Sequence, residues 1–156
     1  MHPRFAAVAD SLHNSYERLV ASEPIPAGHR WPREQVRGVY LFSEADLPLY
    51  VGRSNHVQRR HGLHSRPSAQ HNQAVFAFKL ARHETGNLRP AYTSGDGSRK
   101  FLAADPAFTE VFTAAKARVK AMDFRWVEEA DPVRQCLLEV YVAVVLQTPY
   151  NDFDNH

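Results

Sequence analysis

The chain has 156 residues, 44% of them hydrophobic and 23% charged, the composition expected of one globular domain (1–156) with a buried core of its own. No apolar run is long enough to cross a membrane, and MHPRFAAVADSLHNSYERL lacks the basic, apolar and small-residue succession of a signal peptide. The single cysteine, Cys136, excludes an internal disulfide and fits a reducing compartment, so a cytoplasmic protein is expected.

The formal net charge of +2 is unevenly spread. Arg53–Lys100 carries nine Lys or Arg against two acidic residues, net +7, which leaves −5 for the remainder. Five of the nine histidines fall in the same stretch. Such a segment is either an electrostatic footprint for a polyanion or a solvated face with alternating helix charges.

Residues 1–36 read as a helix followed by a loop. Phe5, Val8, Leu12, Tyr16, Leu19 and Val20 recur at helical spacing over 4–20. Ser22–Arg37 contains Pro24, Pro26, Gly28 and Pro32 and reads as a loop, with Trp31 as a packing anchor. A hairpin follows at about 37–53. Leu41, Phe42, Tyr50 and Val51 favour a pleated surface, and Ser43–Pro48 is a polar connection ending in a strand-edge proline. Each strand carries one glycine beside one tyrosine, and a strand glycine marks a bulge or a close backbone approach.

Asn55 is the expected cap of a short helix over Val57–Leu63, on which Arg60 and His64 stand four apart on one face. Ser65 or Ser68 is the expected start of a helix over about 68–84, closed by Gly86. Residues 86–104 read as a basic loop containing Arg89, Arg99 and Lys100. Gly95–Lys100 within it lacks both the glycine-lysine-hydroxyl spacing and the preceding strand of a phosphate-binding loop. Asp105-Pro106 starts a helix with Phe108, Val111, Phe112, Ala115 and Val119 as its stripe. Asp123–Glu128 partly alternates and reads as a third strand. Asp131-Pro132 starts a last helix reaching about Leu146.

That last helix is apolar nearly all round from Cys136 to Leu146, so it is expected to be buried, with Cys136 as inert core. Glu139 is the single charge in that run. A buried carboxylate must be protonated, paired or metal-bound. One hard carboxylate suits Mg²⁺ held mostly by phosphate and water, and a structural ion pair to Arg60 or Arg125 is the alternative.

Two separated blocks agree at this point. The first is Gly38-Val39-Tyr40, then Tyr50-Val51-Gly52, with Arg60 ten residues past Tyr50 and His64 beyond. The second is Leu138-Glu139 in an apolar helix, with Pro149-Tyr150-Asn151 ending twelve residues past Glu139. Together, over about 38–64 and 136–152, they resemble the GIY-YIG nuclease superfamily, which includes the incision subunit of bacterial excision repair, homing endonucleases and some restriction enzymes. The resemblance implies an α+β fold with a small three-stranded antiparallel sheet flanked by helices, as the strand pattern also suggests. An N-terminal helix and a basic helical and loop insertion, about 66–122, complete the expected arrangement. It also implies a divalent-metal-dependent endonuclease acting on DNA phosphodiester bonds with Mg²⁺ or Mn²⁺.

On this resemblance Tyr40 is the general base or orienter of the attacking water, Tyr50 lines the site and Arg60 clamps the scissile phosphate. His64 takes a position held by tyrosine or histidine in relatives, Glu139 holds the metal and Asn151 buttresses the site. Gly38, Gly52, Arg53, Arg59, Arg66, Arg99 and Lys100 are the expected substrate-binding positions. The chain departs from the family pattern in three places. Valine replaces isoleucine in both tripeptides, Arg53 stands where many members have lysine, and 75 positions separate His64 from Glu139. Arginine does not readily give up a proton. Arg60, Arg53 and a metal are expected to lower the Tyr40 pKa, with His64 relaying the proton.

Taken singly, Tyr40 and Tyr50 read as core tyrosines and Arg60 as a surface arginine. His61, His64 and His71 lack a cysteine or fourth ligand for zinc. Asp152 and Asp154 read as a solvated tail. The rival classes are a catalytically inactive GIY-YIG-like nucleic-acid-binding module and a compact interaction protein. Cutting both DNA strands takes a homodimer or two sequential events.

Overall fold

The structure, a computed structural model, describes residues 1–26, 28–88 and 98–153. The chain is α+β. In chain order the elements are α1 (Pro3–Ala21), β1 (Gly38–Glu44), β2 (Leu47–Ser54), α2 (Val57–Ser65), α3 (Val75–Glu84), α4 (Arg99–Ala104), α5 (Pro106–Ala121), β3 (Asp123–Glu128) and α6 (Pro132–Leu146). The three strands form one antiparallel sheet in the order β2-β1-β3. Among the described residues no helix is long and apolar enough to cross a membrane.

The described residues fall into two compact units. The first comprises Met1–Arg60 and Met122–Asn151; the second comprises His61–Ala121 with Asp152 and Phe153.

In the first unit, the two-residue turn Ala45–Asp46 closes the hairpin. Both residues have positive φ (49° and 63°), the backbone of a type I′ turn whose twist matches the strands. The expected six-residue connection is therefore mostly strand. A register shift between Phe42 and Ser43 lets Ser43 pair with Pro48, and β2 is the edge strand that tolerates this proline. Alternation divides the sheet residues between two faces. Val39, Leu41, Val51 and Val127 join Leu12 and Leu19 of α1 and Leu138, Val142 and Ala143 of α6 in one buried cluster. Tyr40, Phe42 and Phe124 occupy the opposite face. Trp31 packs beside them, 5.6 Å from Trp126 and 6.3 Å from Phe124 between ring centroids.

The outer edge of β2 is closed by the turn after α6. Gln147 ends that helix in the left-handed conformation (φ 50°). Asn151 then turns its amide onto one residue of the strand. Its Oδ1 accepts from the Val51 N–H at 2.9 Å and its Nδ2 donates to the Val51 carbonyl at 2.8 Å. Thr148 Oγ1 donates to the same Oδ1, and the Tyr150 N–H donates to the Leu49 carbonyl. These bonds satisfy edge groups that would otherwise invite another strand.

In the second unit α3, α4 and α5 pack around Phe78, Leu102, Phe108, Phe112 and Ala115, with Phe78 and Phe108 centroids 5.1 Å apart. Lys116 reaches inward, donating to the carbonyls of Pro67 and Ala69 over the Phe112 ring. Burial lowers its pKa.

Four local expectations are corrected. His56, not Asn55, caps α2, its Nδ1 accepting from the Arg59 N–H, and the helix continues to Ser65. The helix expected from Ser65 or Ser68 begins at Val75, because 66–74 form successive turns whose Pro67 and Ala69 carbonyls serve Lys116. Part of the expected loop is helix α4, capped by Ser98 Oγ on the Phe101 N–H. Arg89, Gly95–Gly97 and Asp154 lie outside the described residues. Finally, α6 is buried on one face only. Val133 (62% exposed) and Val144 (67%) face solvent, and Cys136 is exposed rather than core.

Replacing Asn151 with alanine should remove both bonds to Val51 and cost about 1–3 kcal/mol. Urea unfolding would measure the loss, and hydrogen exchange at the Val51 amide should accelerate. An unchanged amide would refute the edge-closing role.

Candidate active site

Two close approaches explain the glycines of the hairpin. Tyr40 pairs across the sheet with Gly52, and a Cβ on Gly52 would stand 2.4 Å from the Tyr40 hydroxyl and 2.5 Å from Cζ. The missing side chain lets the tyrosine ring lie over β2. Phe124 stacks on the ring at 5.4 Å and Phe42 meets it edge-on at 5.9 Å. Gly38 answers a different neighbour: its Cβ would meet the Val127 carbonyl oxygen of β3 at 2.1 Å.

The Tyr40 hydroxyl thus arrives at the edge of the sheet while the residue stays 1% exposed. Arg60 Nε, from α2, lies 3.4 Å from it. Tyr50 also hydrogen-bonds it, from the next position but one before Gly52 on β2. On the helical side, α6 presents Glu139. Its Oε2 lies 2.9 Å from Arg53 Nε, with the two side chains 21% and 45% exposed. Leu138, buried in the core cluster, fixes the rotation of α6 that puts Glu139 beside β2.

These groups line a cleft of about 400 Å³, formed by Tyr40, Tyr50, Gly52, Arg53 and Arg60 with Glu139 and Gln135 of α6, and completed by Ser54 and Asn55. Glu139 is the one carboxylate among these lining residues. Among the described residues no group of three or more His, Cys, Asp or Glu is arranged to hold a metal ion. The donor set of the cleft is hard: carboxylate, amide and hydroxyl oxygens. It fits a dication that takes one protein carboxylate and fills its remaining positions with water and substrate oxygens.

Six of the expected site residues, Tyr40, Tyr50, Gly52, Arg53, Arg60 and Glu139, therefore meet in one place. Asn151 stands behind it, on the Val51 backbone. Gly38 serves the β1–β3 contact. Arg59 is exposed on α2. His64, Arg66, Arg99 and Lys100 belong to the second unit. There His64 is 0% exposed, Arg66 and Lys100 are exposed, and Arg99 lies 5.3 Å over the Phe78 ring. Gln135, Ser54 and Asn55 were not anticipated. Gln135 was within reach, since it precedes Glu139 by four positions on a helix and so shares its face.

Two electrostatic expectations are corrected. Glu139 pairs with Arg53, which was not among the expected partners, and Arg125 donates instead to the Ser22 carbonyl at 2.9 Å. The Tyr40 pKa is raised, not lowered. Burial is the dominant cause and Glu139 adds to it, while Arg60 and the Tyr50 hydrogen bond oppose it. Tyr40 is consequently a neutral phenol at neutral pH.

Two outcomes follow from this packing. Gly52→Ala should push the Tyr40 ring out of its stack and cost about 1–3 kcal/mol, measured by urea unfolding. The raised Tyr40 pKa means the unfolded chain releases this proton first as pH climbs past about 10, so stability falls from there toward the folded value. Tyr40→Phe should flatten that alkaline decline. Equal declines in parent and variant would contradict the burial of a neutral phenol.

Compared with protein-family models, with curated proteins and with solved structures, the chain matches none.

Proposed function

We propose that the chain is a divalent-metal-dependent endonuclease of the GIY-YIG type, cytoplasmic, hydrolysing DNA phosphodiester bonds. The observation that carries this reading is the convergence of Tyr40, Tyr50, Arg53, Arg60 and Glu139 on one polar cleft, from both strands of the hairpin and from two helices. The net +7 of Arg53–Lys100 supports a polyanionic substrate.

Hydrolysis forms one bond between phosphorus and a water oxygen and breaks one phosphorus–ester oxygen bond. The water loses a proton and the leaving oxygen gains one. Arg60 would clamp the phosphate with a planar guanidinium that stays charged throughout. Its Nε contact with Tyr40 would put the phenol beside the same phosphate. Arg60 and Tyr50 hydrogen-bond the Tyr40 oxygen, and a neutral phenol is a donor from which a water or phosphate oxygen can accept. At neutral pH Tyr40 would therefore orient the water; only as its phenolate could it take the proton. Glu139 would hold Mg²⁺ or Mn²⁺, which when bound supplies positive charge to the phosphoryl and leaving oxygens.

One observation favours a second reading, a nucleic-acid-binding module without cleavage. Glu139 is already ion-paired and Tyr40 is held neutral. Nicking of supercoiled plasmid at low salt separates the two. The parent should nick only with Mg²⁺ or Mn²⁺. Arg60→Ala should slow cleavage by about 10²–10³-fold, as loss of a charge-stabilising donor does. Glu139→Ala should abolish the metal-dependent cut. The parental rate should rise continuously toward alkaline pH, and Tyr40→Phe should remove that rise. A parent that binds DNA with steep salt dependence yet leaves plasmid and structured substrates intact is the binding module. Failure to bind DNA at all removes both readings.

A further inference from the structure

The cleft contains an ion pair whose two members the proposed reaction needs apart. Arg53 Nε and Glu139 Oε2 are 2.9 Å from each other. The backbone brings the two side chains within reach of each other. Arg53 is the next-to-last residue of β2, two past buried Val51, and Glu139 follows buried Leu138 on α6. A divalent cation on Glu139 would meet the guanidinium at contact range, and like charges that close repel strongly. Among the described lining residues of the cleft no second carboxylate offers the cation another seat. The guanidinium, by contrast, has a better acceptor available once a phosphodiester enters, because a phosphate accepts two parallel N–H bonds from its planar fork.

Resting on the nuclease reading, we propose that Arg53 is a latch on Glu139. Without DNA it occupies the carboxylate and keeps the divalent cation out. An arriving phosphate draws the guanidinium away, and Glu139 then receives the cation. Binding of metal and binding of DNA are thereby coupled, each strengthening the other by the same factor. The pair is suited to such exchange. Its partial exposure keeps it weak enough to open, and arginine keeps its charge at every working pH. Arg60 also lines the cleft, with its Nε 3.4 Å from the Tyr40 hydroxyl.

The test reads Mn²⁺ affinity without DNA, from the electron paramagnetic resonance signal of the free aqueous ion. Arg53→Gln should bind Mn²⁺ about tenfold more tightly than the parent, the scale expected for removing one adjacent cation. The same substitution on a Glu139→Gln background should change nothing. Arg33→Gln, an exposed loop cation, should leave Mn²⁺ affinity at the parental value. Adding a cleavage-resistant phosphorothioate duplex should tighten Mn²⁺ more in the parent than in Arg53→Gln. Parental Mn²⁺ affinity in Arg53→Gln, or an equal effect of the duplex on both proteins, overturns the latch. The nuclease reading is judged apart from it. A Glu139-dependent gain in Arg53→Gln, with plasmid intact for every protein, upholds the latch and removes the nuclease. Metal-dependent nicking by the parent, with no gain in Arg53→Gln, does the reverse.

Discussion

The Tyr40 ring crosses the β2 backbone at Gly52, where any side chain would fall within 2.4 Å of the hydroxyl. The position of that hydroxyl follows from this contact, and much else follows from the hydroxyl. It can reach the sheet edge only because the ring lies flat, held between the glycine and the Phe124 face. It meets Arg60 because α2 begins three residues after β2, which keeps Arg60 close to that strand. The arrangement is also what buries it, and burial governs its protonation. One missing methyl group thus links the geometry of the cleft to its chemistry.

Around that contact the first unit separates two tasks by sheet face. The face with Val39, Leu41, Val51 and Val127 is covered by α1 and α6 and supplies a large apolar cluster. Arg53 shares that face's parity, which is why it meets a residue of α6 and not the phenol. The opposite face carries the aromatic stack and Tyr40. The cleft forms where both faces reach the edge strand, so groups of opposite parity can act on one ligand. An interior strand could not do this, since neighbours on both sides would seal it.

Much of this was legible in the residues. Glycine beside tyrosine in two facing strands is costly unless something lies close, and that something is the Tyr40 ring at Gly52 and the β3 backbone at Gly38. Helices starting at Asp105-Pro106 and Asp131-Pro132 follow from local caps that need no tertiary context. Where the reading failed, long-range packing decided. The apolar content of α6 cannot reveal that Val133 and Val144 would be left outside. The start of α3 depends on Lys116, more than forty positions away. The sign of the Tyr40 shift sets desolvation against nearby cations, and only the fold fixes how deeply the phenol is buried. Charge pairing at Glu139 was anticipated in kind, but Arg53 was not among the expected partners; strand parity brings it to the α6 side.

The amide of Asn151 that closes β2 comes from a residue 100 positions away in the chain. The hairpin needs only a two-residue turn and can form early, while β3 and the closing turn must wait for distant segments to arrive. During synthesis, the edge beneath the cleft stays open until almost the last described residues have emerged. A nascent chain therefore carries both tyrosines and the arginines long before it carries Glu139 or a sealed strand. Full assembly of the cleft is a late event in folding, and a chain stopped before α6 would present an unprotected strand edge rather than a weakened site.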